Sequence, residues 1–257
     1  MMKMLSRLTR KLHTLARQIE EPRLFALRRL GVPLDIYGKL VAPWLQAFKF
    51  VTIVDVGANV GQFALAANAV WPEAQIYSFE PLPDCHQQLL ARLSQVKNFT
   101  GFNVGLGDRP GSLVFEKNAF SASSSFLKMA PMHKLEFPHT QDSQRVTVEI
   151  KRLDDVAAEL TLRGPLLLKI DVQGFEDKVL MGAEATIQKA EVIVIESSFE
   201  VLYEDQPLFD DIYRAMMHRG FVYKGAMDQL VSPKDGRPLQ TDAIFMRPTA
   251  TITKGTG

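Results

Sequence analysis

From Val51 onward the chain alternates between short apolar runs and stretches with helical spacing, and this alternation constrains its fold more than any other feature. Strands are predicted at Thr52–Val56, Gln75–Phe79, Thr100–Val104, Leu113–Glu116, Val146–Lys151, Leu166–Asp171 and Val192–Glu196, with two more at Phe221–Tyr223 and Ala243–Arg247. Helices are predicted over Gly61–Val70, Asp84–Leu93, Asp154–Leu160, Glu176–Gln188 and Phe209–Arg219. Strands separated by helices pair in parallel through right-handed crossovers, so both faces of the sheet become covered. The last two runs are joined by SPKDGRP (Ser232–Pro238), which is turn-rich and carries no helix, so they should pair antiparallel. The expected fold is α/β: a doubly wound, Rossmann-like, mostly parallel seven-stranded sheet that ends in an antiparallel hairpin.

The first 48 residues are of a different kind. They carry nine Lys/Arg against three acids, a net of +6, which leaves −5 for the rest of a chain whose total is +1. Leu5, Leu8, Leu12, Leu15 and Ile19 form one helical face, and Arg23 to Leu30 a second helical stretch that stops at Gly31-Val32-Pro33. This predicts a basic helical extension over 1–48, a main domain over 49–248 and a tail over 249–257. The extension suits packing on the main domain, packing on a second copy as a homo-oligomer, or peripheral contact with an anionic membrane. The near-neutral total argues against a nucleic-acid partner. With one cysteine, Cys85, and no apolar run near the ~18 residues needed to span a bilayer, the expected location is cytoplasmic.

The stretch TIVDVGANVG (52–61) reads as a strand, a glycine turn and a helix start. A phosphate-binding P-loop needs Lys-Ser/Thr at its end, but Gln62-Phe63 follows. The dinucleotide fingerprint needs glycines where this chain has Asn59 and Gln62. S-adenosylmethionine has no phosphate and carries an ammonium, which suits Asp55 at the strand end, directly or through water. Asn59 tolerates the left-handed backbone that a turn between Gly57 and Gly61 requires. Glu80, closing the second strand before Pro81, suits the two hydroxyls of a ribose, in this cofactor or in NAD.

Several blocks, in order, resemble the FkbM-type methyltransferase family: DVGANVGQFA (55–64), FEPLP (79–83), NVGLGDRPG (103–111), SSSF (123–126), RLDD (152–155), LLKIDVQGFE (167–176) and IES (195–197). The resemblance covers roughly residues 51–247. It implies the class I methyltransferase fold, S-adenosylmethionine as cofactor, and methyl transfer to oxygen on a sugar, glycan or natural-product acceptor. The family more often has Ala where this chain has Gly105.

Ligands of open α/β sheets sit beyond the carboxyl ends of the strands. The candidate cofactor residues are therefore Asp55, Gly57, Asn59, Gly61, Glu80, Pro81, Asn103, Gly105 and Leu106. By analogy with other class I enzymes Asp171 lies nearest the methyl group and is the first choice for a base or acceptor-orienting residue. Glu196 is the second, and Lys169, two residues before Asp171, faces the same side. Residues 118–145 lack any clean period and are expected to form a substrate-side loop. Its Ser124, Ser125 and His133 are the candidate acceptor contacts. Asp171, Glu176 and Glu196 are the acids that could hold a divalent metal, but carboxylates in a polar crevice need none, and Cys85 has only His86 beside it, so no metal site is assigned. A NAD-dependent oxidoreductase and a non-catalytic binding module of the same fold are the alternatives.

Overall fold

The computed structural model describes residues 22–118, 125–127, 130 and 143–248. Three helices come first: α1 (Pro22–Arg29), α2 (Leu34–Leu40) and α3 (Pro43–Gln46). The main domain then runs β1 (Thr52–Val56), α4 (Gln62–Val70), β2 (Gln75–Phe79), α5 (Pro83–Arg92), β3 (Phe99–Phe102), β4 (Gly105–Leu106), β5 (Gly111–Asn118) and β6 (Ser143–Lys151). It continues with α6 (Leu153–Ala157), β7 (Leu166–Ile170), α7 (Glu176–Met181), α8 (Glu184–Ile187), β8 (Val192–Ser198), α9 (Phe209–His218), β9 (Val222–Val231) and β10 (Pro238–Met246).

Seven strands form one sheet in the order β3-β2-β1-β7-β8-β10-β9. The first five are parallel, and β10 is antiparallel to both neighbours. Alternation along each strand divides the core between the two faces. Ile53, Leu167, Val192, Val194 and Ile244 enter one cluster, with Ala64 of α4 and Leu40 of α2. Val54, Leu168, Ile193, Ile195 and Phe245 enter the other, with Val179 of α7 and Ile212 of α9. Both faces are covered, as the near-continuous apolar strands require.

Part of the basic extension belongs to this core. Val32, Tyr37, Leu40, Leu45 and Phe48 are buried in the same cluster as Ile53, and Phe48 stacks on Phe50 with ring centroids 5.3 Å apart. Residues 32–48 therefore pack on the main sheet. The predicted helical face at 5–19 and the tail at 249–257 lie outside the described residues.

Three local differences from the expected pattern have physical causes. The predicted strands at Leu113–Glu116 and Val146–Lys151 leave the main sheet: β5 and β6 pair antiparallel and join β4 in a separate three-stranded sheet, β4-β6-β5. Of the segment 118–145 expected to be a loop, residue 118 belongs to β5 and 143–145 to β6, and residues 119–142 connect the pair. The helix expected over Glu176–Gln188 breaks at Gly182, where a Cβ would lie 1.9 Å from the Gly107 carbonyl oxygen. The second piece is capped by Asp154, whose carboxylate accepts the Ala185 and Thr186 N–H groups at 2.9 and 2.8 Å. The closing strands run to ten and nine residues. β9 is an edge strand with an exposed outer half, so its sequence lacks a continuous apolar signal.

Candidate active site

A cavity of about 770 Å³ opens at the carboxyl ends of β1, β2, β7 and β8. Gly57, Asn59, Glu80 and Pro81 line one side, with Gly105 and Leu106 of β4. Lys169, Asp171 and Gln173 line the middle. Glu196, Gln240 and Asp242 line the far side, where α2 and β9 close the wall.

The turn after β1 has the backbone the sequence requires, with φ of +78° at Gly57, +49° at Asn59 and +84° at Gly61. A Cβ on Gly57 would lie 1.8 Å from the Asp171 carbonyl oxygen, so the ends of β1 and β7 approach in a way that only glycine permits. Gly61 has a different purpose from the one expected. It does not line the cavity; its Cβ would strike Leu89 and Leu93 at 2.7 Å, so it lets α4 pack against α5.

Glu80 is buried, and each of its carboxylate oxygens accepts one main-chain N–H, from Asn59 at 2.8 Å and Leu82 at 2.9 Å. It therefore ties the first turn to the second. Burial pushes its pKa up to about 7 against those two hydrogen bonds. Asn103 is spent similarly. Its Nδ2 donates to the carbonyls of Glu80 and Pro81 at 2.9 and 3.0 Å, and it does not line the cavity. It braces the turn after β2.

Asp55 also departs from expectation. It is fully buried and does not line the cavity, so it cannot meet a cofactor ammonium directly. Lys169 stands between: its Nζ is 3.5 Å from Asp55, 3.1 Å from Asp171 and 3.2 Å from the Gly57 carbonyl oxygen. Burial opposes the Lys169 charge, but the carboxylates of Asp171 and Asp55 hold its pKa above the ordinary lysine value. Burial raises the Asp55 pKa, with Lys169 opposing.

Gln173 organises the centre, and sequence reasoning passed over it. It adopts φ +55°. Its Nε2 donates to Asp171 at 3.0 Å and to Glu196 at 2.7 Å, and its Oε1 accepts the Tyr203 hydroxyl at 2.9 Å. The hydroxyl thereby fixes which way the amide points. Asp242 was also missed. It is the register partner of Glu196 across β8 and β10, and only that long-range pairing brings it to the site. Burial raises Glu196 well above the usual carboxylate range, and the nearby Asp171 adds to this. The same two causes, in the same order, lift Asp242 to about 6.

Ser125 is not an acceptor contact. It is fully buried, donates its hydroxyl to the Gln173 carbonyl and accepts the Leu127 N–H at 3.0 Å. It anchors the loop beside the Asp171 turn and places Phe126 against Phe115 and Phe175, with centroids at 4.6 and 4.9 Å. Glu176 holds the same turn, accepting the N–H groups of Val172 and Gly174. Ser124 and His133 lie outside the described residues.

The parallel sheet with its antiparallel end, and a crevice floored by Gly57, Ala58 and Asn59 beside an acid at the end of β2, define a class I, Rossmann-like methyltransferase fold. The family model "Methyltransferase FkbM domain" matches residues 55–223. The chain belongs to the FkbM methyltransferase family, which favours the methyltransferase over the nicotinamide reading. Its relatives include the 2-O-methyltransferase NoeI of Sinorhizobium fredii, 29% identical over 160 residues, covering 60% of this chain and 66% of that one. Methyltransferase 1 of Beauveria bassiana is 32% identical over 144 residues, with 51% and 58% covered. The hexuronic acid methyltransferase AglP of Haloferax volcanii is 25% identical over 143 residues, with 55% and 54% covered. The chain spans less than two thirds of the length of each.

S-adenosylmethionine is the cofactor, and the residues present fit it. The Asn59 Oδ1 is buried at the cavity wall without a hydrogen-bond partner among the described residues, an acceptor that a bound donor would satisfy. Glu80 keeps further acceptor capacity for ribose hydroxyls.

Proposed function

We propose that the chain transfers the methyl group of S-adenosylmethionine to a hydroxyl oxygen of a sugar, glycan or natural-product acceptor. The observation that carries this reading is the array of Asp171, just after β7, with Glu196 of β8 and Asp242 of β10, three acids from adjacent strands facing one cavity beside the Gly57 turn. The names of the Sinorhizobium 2-O-methyltransferase and the Haloferax hexuronic acid methyltransferase support transfer to oxygen and a sugar-type acceptor. The cofactor supplies a methyl group already activated by the sulfonium.

The chain's own residues do the rest. Gly57, Asn59 and Glu80 hold the cofactor, and Pro81, Gly105 and Leu106 complete its wall. Asp171 accepts the acceptor hydroxyl proton or orients that hydroxyl. Lys169 and Gln173 fix the Asp171 carboxylate from two sides, and Glu196 is held by the same amide. The apolar lining from Phe63, Phe115 and Phe126 excludes water and aligns the in-line displacement.

The reaction belongs in the cytoplasm, consistent with a single buried thiol and with no helix among the described residues long and apolar enough to cross a membrane. Contact with a membrane surface or a second copy would fall to residues 1–21 and to the exposed Arg23, Arg28 and Arg29 of α1. The test is twofold: equilibrium titration with S-adenosylhomocysteine, and incubation with labelled methyl donor and fractionated cell extract, with mass spectrometry of the product. Tight NAD binding without S-adenosylhomocysteine binding would sink the reading.

A further inference from the structure

Resting on the methyltransferase reading, the far half of the cavity goes further and indicates what kind of acceptor enters. This half is bounded by α2, β8, β9 and β10. Ile36, Met227 and Leu230 give it apolar surface, and Glu196, Gln240 and Asp242 give it hydrogen-bonding groups. We propose that this half is the acceptor subsite, and that it takes an uncharged polyhydroxylated ring, a neutral sugar, and rejects a sugar acid.

The argument is one of charge and donor type. Four carboxylates face the middle and far parts of the cavity: Asp35, Asp171, Glu196 and Asp242. Two cations line it among the described residues, and both are engaged. Lys39 is ion-paired with Asp228 of β9, and Lys169 with Asp55 and Asp171. A ligand carboxylate would enter a partly desolvated space walled by acids, with no unpaired cation among the described lining residues to balance it. Hydroxyl groups are the opposite case. A hydroxyl donates to a carboxylate oxygen and accepts from a protonated carboxyl, so it pairs with these acids in either state. Glu196 and Asp242 sit opposite each other on neighbouring strands, so two acceptors are presented side by side. The carbon face of a pyranose matches the Ile36, Met227 and Leu230 surface, an apolar wall with a few convergent polar groups.

Calorimetric titration of the full chain, loaded with S-adenosylhomocysteine, with matched neutral methyl hexosides and methyl hexuronosides tests this. At least one neutral hexoside should bind, and its uronic acid counterpart should bind at least about tenfold more weakly. Asp242→Asn, which keeps the side-chain shape, should narrow that gap to about threefold or less while leaving S-adenosylhomocysteine affinity unchanged. Equal or tighter binding of the uronic acid overturns the proposal, as does S-adenosylhomocysteine binding with no affinity for any neutral hexoside. If the wild-type chain does not bind S-adenosylhomocysteine, the methyltransferase reading fails and this inference falls with it.

Discussion

Where the cavity meets β1 and β2, side chains turn inward onto the backbone. Where it meets β8 and β10, they face the cavity. Glu80 accepts two main-chain N–H groups and Asn103 donates to two main-chain carbonyls, so the side proposed for the cofactor is shaped chiefly by how the chain itself is held. On the other side Asp171, Glu196 and Asp242 are half-buried carboxylates joined by one amide and one strand pairing. A cofactor that does not change can be met by fixed backbone geometry. An acceptor that must be deprotonated in place needs movable charge.

The largest effect should come from breaking the cofactor side at its closest contact. Gly57→Ala places a methyl group into the Asp171 carbonyl and forces φ +78° on a residue with a side chain. The expected cost is about 4 kcal/mol or more, seen as loss of cooperative unfolding in urea or of S-adenosylhomocysteine binding. A variant that folds and binds normally would mean that the two strand ends can separate freely.

Asp171→Ala probes the other side. Turnover should fall about 100-fold or more, as for loss of a general base, while S-adenosylhomocysteine affinity changes by no more than about threefold. Unchanged turnover removes Asp171 from the chemistry. An equal fall in both erases the division between the two halves.

The two sides also differ in how far the sequence revealed them. The Gly57 turn, Asn59 with its positive φ, and Glu80 at the end of β2 lie within one strand–helix–strand unit, where local spacing dictates structure. Asp171 and Glu196 followed from strand ends alone. Gln173 was hidden because a glutamine in a turn carries no signal; its role appears only when Tyr203, thirty residues on, fixes its amide. Asp242 was hidden because β10 pairs with β8 across a long separation in sequence. The burial of Asp55 behind Lys169 was hidden for a similar reason. Alternation placed Lys169 on the side of Asp171, but only the pairing of Asp55 with Lys169 in adjacent strands shows that the lysine covers the acid.

A smaller effect concerns pH. Burial pushes Glu80 and Glu176 up to about 7 from an ordinary 4.5. The folded chain therefore holds protons that the unfolded chain has released between these values. The stability tied to these groups is full below 4.5 and is lost as pH rises through about 7. The melting temperature should be higher near about pH 5.5 than near about pH 8, and Glu176→Gln should reduce that difference. A melting temperature that rises across this window would show that neither carboxyl keeps its proton in the fold.

The smallest effect belongs to the ion pair between Lys39 of α2 and Asp228 of β9, which spans the mouth of the acceptor side. Its partners are 28% and 53% exposed, so solvent and salt screen it, and Asp228→Asn should cost less than about 1 kcal/mol. The contrast with Lys169, whose side chain is only 12% exposed between two carboxylates, is the useful part. If the outer pair only aligns α2 with β9, its loss should leave urea midpoints nearly unchanged and insensitive to salt. A loss of several kcal/mol would mean that Lys39, once freed, leaves the acceptor wall incomplete, and that the outer wall is built as firmly as the cofactor turn.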